Sequence, residues 1–156
     1  MFQVTKVIRR MTVMENMLTP AFATHPHIKT KEAVDRANEV LKSTGLEHMK
    51  NEYASVLSGG QQRLLEFSRL LMINAETYLL DEPFVAVHPA LKARIIENIR
   101  RINQENKTFV IVSHDLPSTF GLCNRIVVLD SGTKIAEGSC DEIRRNDKVI
   151  EAYLGV

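Results

Sequence analysis

The apolar and polar positions of this chain follow two periods. From Lys31 to about Thr44 the apolar residues Ala33, Val34, Ala37, Val40 and Leu41 recur every three or four positions, and Gly45 stands where a helix would stop. The same spacing predicts a helix from near Gly60 to about Ile73. There Leu64, Leu65, Ser68, Leu71 and Met72 make one face, and Ser58 with Gln61 fits an S-x-x-Q capping box. A third helix is expected from Pro89 to Gln104 on Leu91, Ile95, Ile99 and Ile102. Pro89 falls in its first turn, where the missing N–H has no helical partner anyway. Before Lys31 the pattern is irregular: Thr12 to Leu18 reads as a short helix that Pro20 and then His25-Pro26-His27 should break.

Two short runs read as strands instead, Thr77-Tyr78-Leu79-Leu80 and Thr108-Phe109-Val110-Ile111-Val112-Ser113. Neither alternates with polar residues, so both are expected to be parallel strands buried on their two faces. With the Pro89 helix between them they form a βαβ unit. Arg125 to Leu129 and Lys134 to Glu137 flank Asp130-Ser131-Gly132-Thr133, a hairpin signal, and Asp141 to Leu154 closes the chain with one or two short helices. There is no internal repeat.

Composition narrows the function classes. The 156 residues are 44% hydrophobic and 25% charged with a net charge of +1, an ordinary globular composition of about one domain. No basic field large enough to track nucleic acid is present, so nucleic acid is not expected as a partner. Cys123 and Cys140 have no C-x-x-C spacing, which favours reduced thiols. The apolar runs fall far short of the roughly 20 residues of a spanning helix, so a membrane role would come through a partner. None of the seven glycines is followed by Lys, which excludes a G-x-x-x-x-G-K-[ST] phosphate loop within this sequence.

Three segments carry the candidate chemistry. They are Leu57-Ser58-Gly59-Gly60-Gln61 at a predicted helix start, Leu79-Leu80-Asp81-Glu82-Pro83 at the end of the first strand, and Val112-Ser113-His114-Asp115 at the end of the second. In this order they make the chain resemble the ATP-binding cassette (ABC) family of ATPases. The resemblance makes the first segment the family's signature motif, the second its Walker B strand with the adjoining catalytic glutamate, and the third its switch histidine. It implies an α/β fold, P-loop NTPase-like, with a three-layer core and a mainly parallel sheet, incomplete here, plus a helical signature subdomain. The implied division is 1–10 as a Q-loop remnant and 11–75 as the helical subdomain. Residues 76–140 would be the catalytic core with Walker B, D-loop and switch histidine, and 141–156 the C-terminal helices.

The chemistry of each segment agrees with its role. Ser58 and Gly60 stand at a helix N-terminus, where unpaired N–H groups and the dipole suit a phosphate, although Ser58 also reads as a plain helix cap. Asp81 at a strand end offers hard oxygen to hydrated Mg²⁺, and Glu82 beside it can orient and polarise the attacking water. His114 follows its strand as an active-site group at the carboxyl edge of a parallel sheet does, and the resemblance implies a hydrogen bond from it to the γ-phosphate. His25, His27 and His48 lack metal spacing and are assigned nothing.

Further positions rest on the resemblance alone. Phe2-Gln3 resembles the end of the Q-loop strand, with Gln3 toward the metal and the water. Met11-Thr12-Val13-Met14-Glu15-Asn16 resembles the T-V-x-E-N stretch that opens the helical subdomain, in which Met14, Met17, Leu18 and Phe22 are either core or contacts to a membrane subunit. Ala86-Val87-His88-Pro89 resembles the D-loop, but with His88 where Asp is common, which puts its coupling role in doubt. That residue and the closing Ala152-Tyr153-Leu154-Gly155 resemble the cassettes of branched-chain amino acid importers.

The function this implies is the ATP-binding and hydrolysing subunit of an ABC transporter, importing a small solute such as branched-chain amino acids. ATP and Mg²⁺ would be its cofactors, and a transmembrane permease and a second ABC ATPase subunit its partners. Its place would be the cytoplasm, peripheral on the inner face of the cell membrane through the permease. Long heptad arms, as in DNA-repair ATPases, are not present. The phosphate loop has no counterpart here, so the isolated chain is expected to be inactive. Two readings follow: part of a full cassette, or a degenerate, non-catalytic subunit lending only its signature to a partner's site. The first is favoured because Glu82 and His114 serve a cassette's own phosphate loop. The strand that feeds that loop would lie beside the one ending at His114, so a gap or an exposed edge is expected there, with marginal stability or association.

Overall fold

The computed structural model describes residues 6–85 and 87–154; Gln3 and Ala86 lie outside the described residues. The chain divides into two compact units, Met1–His114 and Asp115–Val156. The first holds α1 (Val13–Thr24), α2 (Thr30–Thr44), two short 3₁₀ turns (Glu47–Met49 and Ala54–Val56), α3 (Gly59–Leu71), β1 (Thr77–Asp81), α4 (Pro89–Gln104) and β2 (Thr108–Val112). The second holds α5 (Leu116–Leu122), β3 (Ile126–Asp130), β4 (Thr133–Gly138), α6 (Cys140–Arg144) and α7 (Asp147–Leu154).

Most local expectations hold. α2 ends at Gly45, which takes the left-handed φ of 78° and donates its N–H back to the carbonyls of Leu41 and Lys42. α3 opens with the anticipated capping box. Pro20 does not break α1, which runs through it to Thr24. Val13, Met17 and Ala21, spaced by four, are all 0% exposed. Burying Val13 and Met17 contributes about 1.5–3 kcal/mol each, of the size needed to offset the roughly 3 kcal/mol cost of an interior proline. Met17 is therefore core, whereas Phe22 on the same helix is exposed.

The entry into α1 is pinned by Asn16, which is 0% exposed. Its Oδ1 accepts from the Ile8 amide at 2.8 Å, and its Nδ2 donates to the carbonyls of Ile8 at 3.0 Å and Thr12 at 2.9 Å. Thr12 and Glu15 close a capping box around the same turn. Asn16→Ala leaves the Ile8 amide without its partner, while the Ile8 and Thr12 carbonyls keep the amides of residues 11 and 16; it is expected to cost about 1–3 kcal/mol, read as a lower urea midpoint at unchanged slope.

Helices α1 to α4 share one core, centred on Leu41, Leu64, Leu65, Phe67 and Ile95, each 0% exposed. Polar bonds fix their register. Ser68 Oγ donates to Thr44 Oγ1 at 3.0 Å between α3 and α2, and Asn98 Nδ2 donates to the Ser43 carbonyl at 3.1 Å between α4 and α2.

β1 and β2 pair in parallel, Thr77 opposite Thr108 through Asp81 opposite Val112, as the βαβ pattern requires. The expectation that both strands are buried on two faces is corrected. Tyr78 and Leu80 are 3% and 1% exposed, but Leu79, Val110 and Val112 on the other face are 66%, 49% and 60% exposed. An apolar run too short to alternate with polar residues cannot distinguish one-sided from two-sided burial. Among the described residues β2 pairs only with β1.

In the second unit β3 and β4 form an antiparallel hairpin whose turn residues Ser131 and Gly132 have φ of 46° and 79°. Two successive positive φ values are the requirement of the two-residue turn that matches strand twist. Ile126, Val128 and Ala136 of the hairpin pack with Ile143 and Val149 of the closing helices. Cys123 and Cys140 are free and half-buried.

Candidate functional site

The first component is the start of α3. Ser58 adopts extended backbone, and its Oγ accepts from the Gln61 amide at 3.3 Å while Gln61 Oε1 accepts from the Ser58 amide at 2.9 Å. Both side chains are thus occupied in capping. No hydrogen bond among the described residues ties up the amides of Gly59 and Gly60, which sit at the positive end of the helix dipole.

The two glycines differ. A Cβ on Gly60 would lie 3.1 Å from Leu91 Cδ1, so packing against α4 explains Gly60; a Cβ on Gly59 would meet nothing within 4 Å. Gly59, at the first helical position after the Ser58 cap, costs up to about 1 kcal/mol relative to alanine, and no contact around it requires a glycine. Leu57, in the same motif, is only 4% exposed and serves as core.

The second component lies at the carboxyl ends of β1 and β2. Asp81 ends β1 on the exposed face of the sheet, and its carboxylate has no hydrogen-bond or ion-pair partner among the described residues. Glu82 extends the ladder by donating its amide to the Val112 carbonyl at 2.8 Å, then leaves it with φ of 47°. This backbone turn aims the Glu82 carboxylate at the end of β2. Oε1 accepts from the His114 amide at 3.2 Å and lies 2.8 Å from His114 Nδ1, while Oε2 accepts from Ser113 Oγ at 3.4 Å. The Glu82 side chain is 19% exposed and that of His114 is 75% exposed, so the carboxylate is sheltered while the imidazole faces outward.

This contact is a hydrogen bond to a carboxylate in the tautomer of His114 that carries its proton on Nδ1, because a carboxylate oxygen can only accept. Nε2 is left pointing away from the pair. For His114 to donate from Nε2 as well, the ring must carry both protons.

A third group was not foreseen. Arg63 of α3, 5% exposed, donates from Nη2 to the Glu82 backbone carbonyl at 2.8 Å. The signal available in the sequence was its spacing of four from Phe67, which puts a cation on the buried face of the helix. His88 serves as the N-cap of α4, its Nδ1 accepting from the Ala90 amide at 3.3 Å. That gives histidine a local reason at a position where aspartate would cap equally well.

The structure therefore brings Glu82, His114 and Ser113 into direct contact and joins them through Arg63 to α3. Asp81 stands beside them in sequence, on the open face. No group of three or more His, Cys, Asp or Glu among the described residues could hold a metal ion. Asp81 fits a single oxygen position on a hydrated Mg²⁺, and the free amides of Gly59 and Gly60 fit a phosphate.

Residues 1–85 match the family model described as ABC transporter. The chain belongs to the ATP-binding cassette family. A second model, described as branched-chain amino acid ATP-binding cassette transporter, matches residues 133–156. The high-affinity branched-chain amino acid transport ATP-binding protein LivG of Salmonella typhimurium is 36% identical over 171 residues, covering 99% of this chain and 66% of LivG. The probable LivG of Archaeoglobus fulgidus is 33% identical, with 99% and 64% covered.

Among solved structures, the dimeric post-hydrolysis state of the ATP-binding cassette MJ0796, bound to ADP and Pi, superposes with a TM-score of 0.79 at 30% identity. It covers 89% of this chain and 61% of that one. The P-loop NTPase-like α/β fold of the cassettes is thus the fold of this chain. It spans a little under two thirds of the length of the relatives it matches.

Proposed function

We propose that this chain carries the signature, Walker B and switch-histidine portion of the ATPase site of a transporter, in an importer of branched-chain amino acids. The observation that carries the reading is the 2.8 Å contact between Glu82 Oε1 and His114 Nδ1, across the carboxyl ends of adjacent parallel strands. A carboxylate there accepts a proton from, or orients, an attacking water, and the doubly protonated imidazolium beside it donates from Nε2 toward a terminal phosphate. The Gly59 and Gly60 amides, with the Ser58 cap, provide a separate phosphate-binding edge that acts on a second cassette's nucleotide. Mg²⁺, when bound beside Asp81, would neutralise charge on the phosphate oxygens.

The solute assignment is supported by the model matching residues 133–156 and by the LivG relatives. In this reading a permease and a second ATPase subunit are the partners, and the chain works on the cytoplasmic face of the membrane. None of the helices among the described residues is long and apolar enough to cross a membrane. The alternative of a non-catalytic subunit has no observation in its favour, since Glu82 and His114 keep their mutual contact.

The sequence holds no Gly-Lys pair to cradle the β- and γ-phosphates, so the experiment supplies one. A chimera joining this chain to the phosphate-loop portion of the Salmonella typhimurium LivG relative is expected to hydrolyse Mg-ATP, while the chain alone does not. A folded, dimeric chimera without turnover would refute the catalytic reading.

Gly59→Ala gives an independent check of the phosphate edge. Open space around Gly59 predicts unchanged or raised thermal stability, by up to about 1 kcal/mol, yet turnover of the chimera is expected to fall at least tenfold. Unchanged turnover would remove Gly59 from the site.

A further inference from the structure

Arg63 is almost wholly buried on α3, at 5% exposure. Taking a guanidinium out of water costs several kcal/mol unless it is paired and hydrogen-bonded, so its partners indicate what it is for. Nη1 meets Glu66 Oε2 at 3.1 Å, one turn along the same helix, which balances the charge locally. Nη2 is spent elsewhere, on the backbone carbonyl of Glu82 at 2.8 Å.

That carbonyl belongs to a residue in a disfavoured conformation. With φ of 47°, Glu82 lies in the left-handed region, which costs a non-glycine residue about 1–2 kcal/mol. Pro83 after it favours extended backbone instead. Such conformations persist only where the surroundings over-determine them. Three bonds do so here: the Glu82 amide to the Val112 carbonyl at 2.8 Å and, onto the Glu82 carbonyl, the Val85 amide at 3.4 Å and the shorter bond from Arg63. Relaxation of this residue to extended backbone would swing its carboxylate away from Ser113 and His114.

We propose that Arg63 is a positioning residue: it holds the Glu82 backbone in the left-handed conformation that aims the carboxylate at His114, and thereby ties the signature helix to that carboxylate. The inference rests on the reading of Glu82 and His114 as the hydrolytic pair. A shift of α3 at its Gly59 and Gly60 end is carried to Glu82 through a single buried side chain. The phosphate edge and the water-activating carboxylate are then mechanically linked within one chain.

The test uses the full chain with ¹⁵N-labelled histidine and reads the Nδ1 chemical shift of His114. Glu82→Ala supplies the value without the contact. Arg63→Met is expected to move the His114 resonance at least halfway to that value, while His25, His27, His48 and His88 stay in place. Arg63→Lys keeps the charge beside Glu66 but loses the planar fork that serves two acceptors. The same movement is expected of it, and it provides the reading where Arg63→Met does not fold.

Glu66→Gln retains Arg63 and its bond to the Glu82 carbonyl, so His114 should keep its wild-type shift. A wild-type His114 shift in the folded Arg63 variants would overturn the proposal. So would a Glu66→Gln shift as large as that of Arg63→Met, because the effect would then be a general loosening of α3. Failure of the hydrolytic reading shows separately, as undiminished turnover of the chimera carrying Glu82→Gln, and leaves the histidine spectra unaffected.

Discussion

Glu82→Gln in the phosphate-loop chimera is expected to lower kcat for Mg-ATP by about 10²–10⁴-fold, with KM for ATP nearly unchanged. The amide is isosteric with the carboxylate: its oxygen can still accept from the His114 amide and its NH2 can donate to Ser113 Oγ, so the local fold is retained. It cannot take a proton from water, and it no longer offers negative charge to the His114 ring. Loss in kcat without loss in KM marks an interaction made in the transition state rather than in ground-state binding. A fall in KM-determined binding with kcat intact would instead make Glu82 a nucleotide-binding residue. The measurement is steady-state hydrolysis, with circular dichroism to show that the variant remains folded.

Phe67→Ala is expected to produce the largest loss of stability among single substitutions in the first unit, about 3–5 kcal/mol. Phe67 is 0% exposed in the core shared by α1 to α4 and is the largest of the fully buried side chains. Its removal leaves a cavity that neighbours on several helices cannot fill together. Against a total stability of about 5–15 kcal/mol for a typical domain, that loss takes a large fraction, and the urea midpoint should fall accordingly. Phe67→Leu should cost markedly less, because most of the volume is restored. Since Phe67 is one turn from Arg63, the alanine variant is also expected to loosen the Glu82 contact. A change of less than about 1 kcal/mol would mean that α3 is not held by this core.

Much of the site was legible before any coordinates. The three segments read as signature, Walker B and switch histidine each occupy contiguous residues, and the elements they end or begin follow from local rules. Ser58 and Gln61 cap α3 because a hydroxyl and an amide three residues apart reach each other's backbone. Gly45 ends α2 because it takes a positive φ without a Cβ penalty. Ser131 and Gly132 close the hairpin for a related reason, aided by the strand runs on each side. Pro20 shows where local rules stop: its cost is fixed by the helix it sits in, but the burial that offsets it comes from α2 and α3.

The sequence by itself determined which residues can do chemistry, their order, and the helix or strand each belongs to, because those properties depend on neighbours within about one turn or one strand. Only the tertiary structure decided that Glu82 turns through a left-handed conformation onto His114, 32 residues away, and that Arg63 reaches its carbonyl from 19 residues before it. It also decided that β1 and β2 bury one face and leave Leu79, Val110 and Val112 on the other. The physical reason is common to all three. Which donor finds a buried carbonyl, and which side of a strand finds a helix, are set by packing among segments distant in the chain, and no local periodicity records that choice.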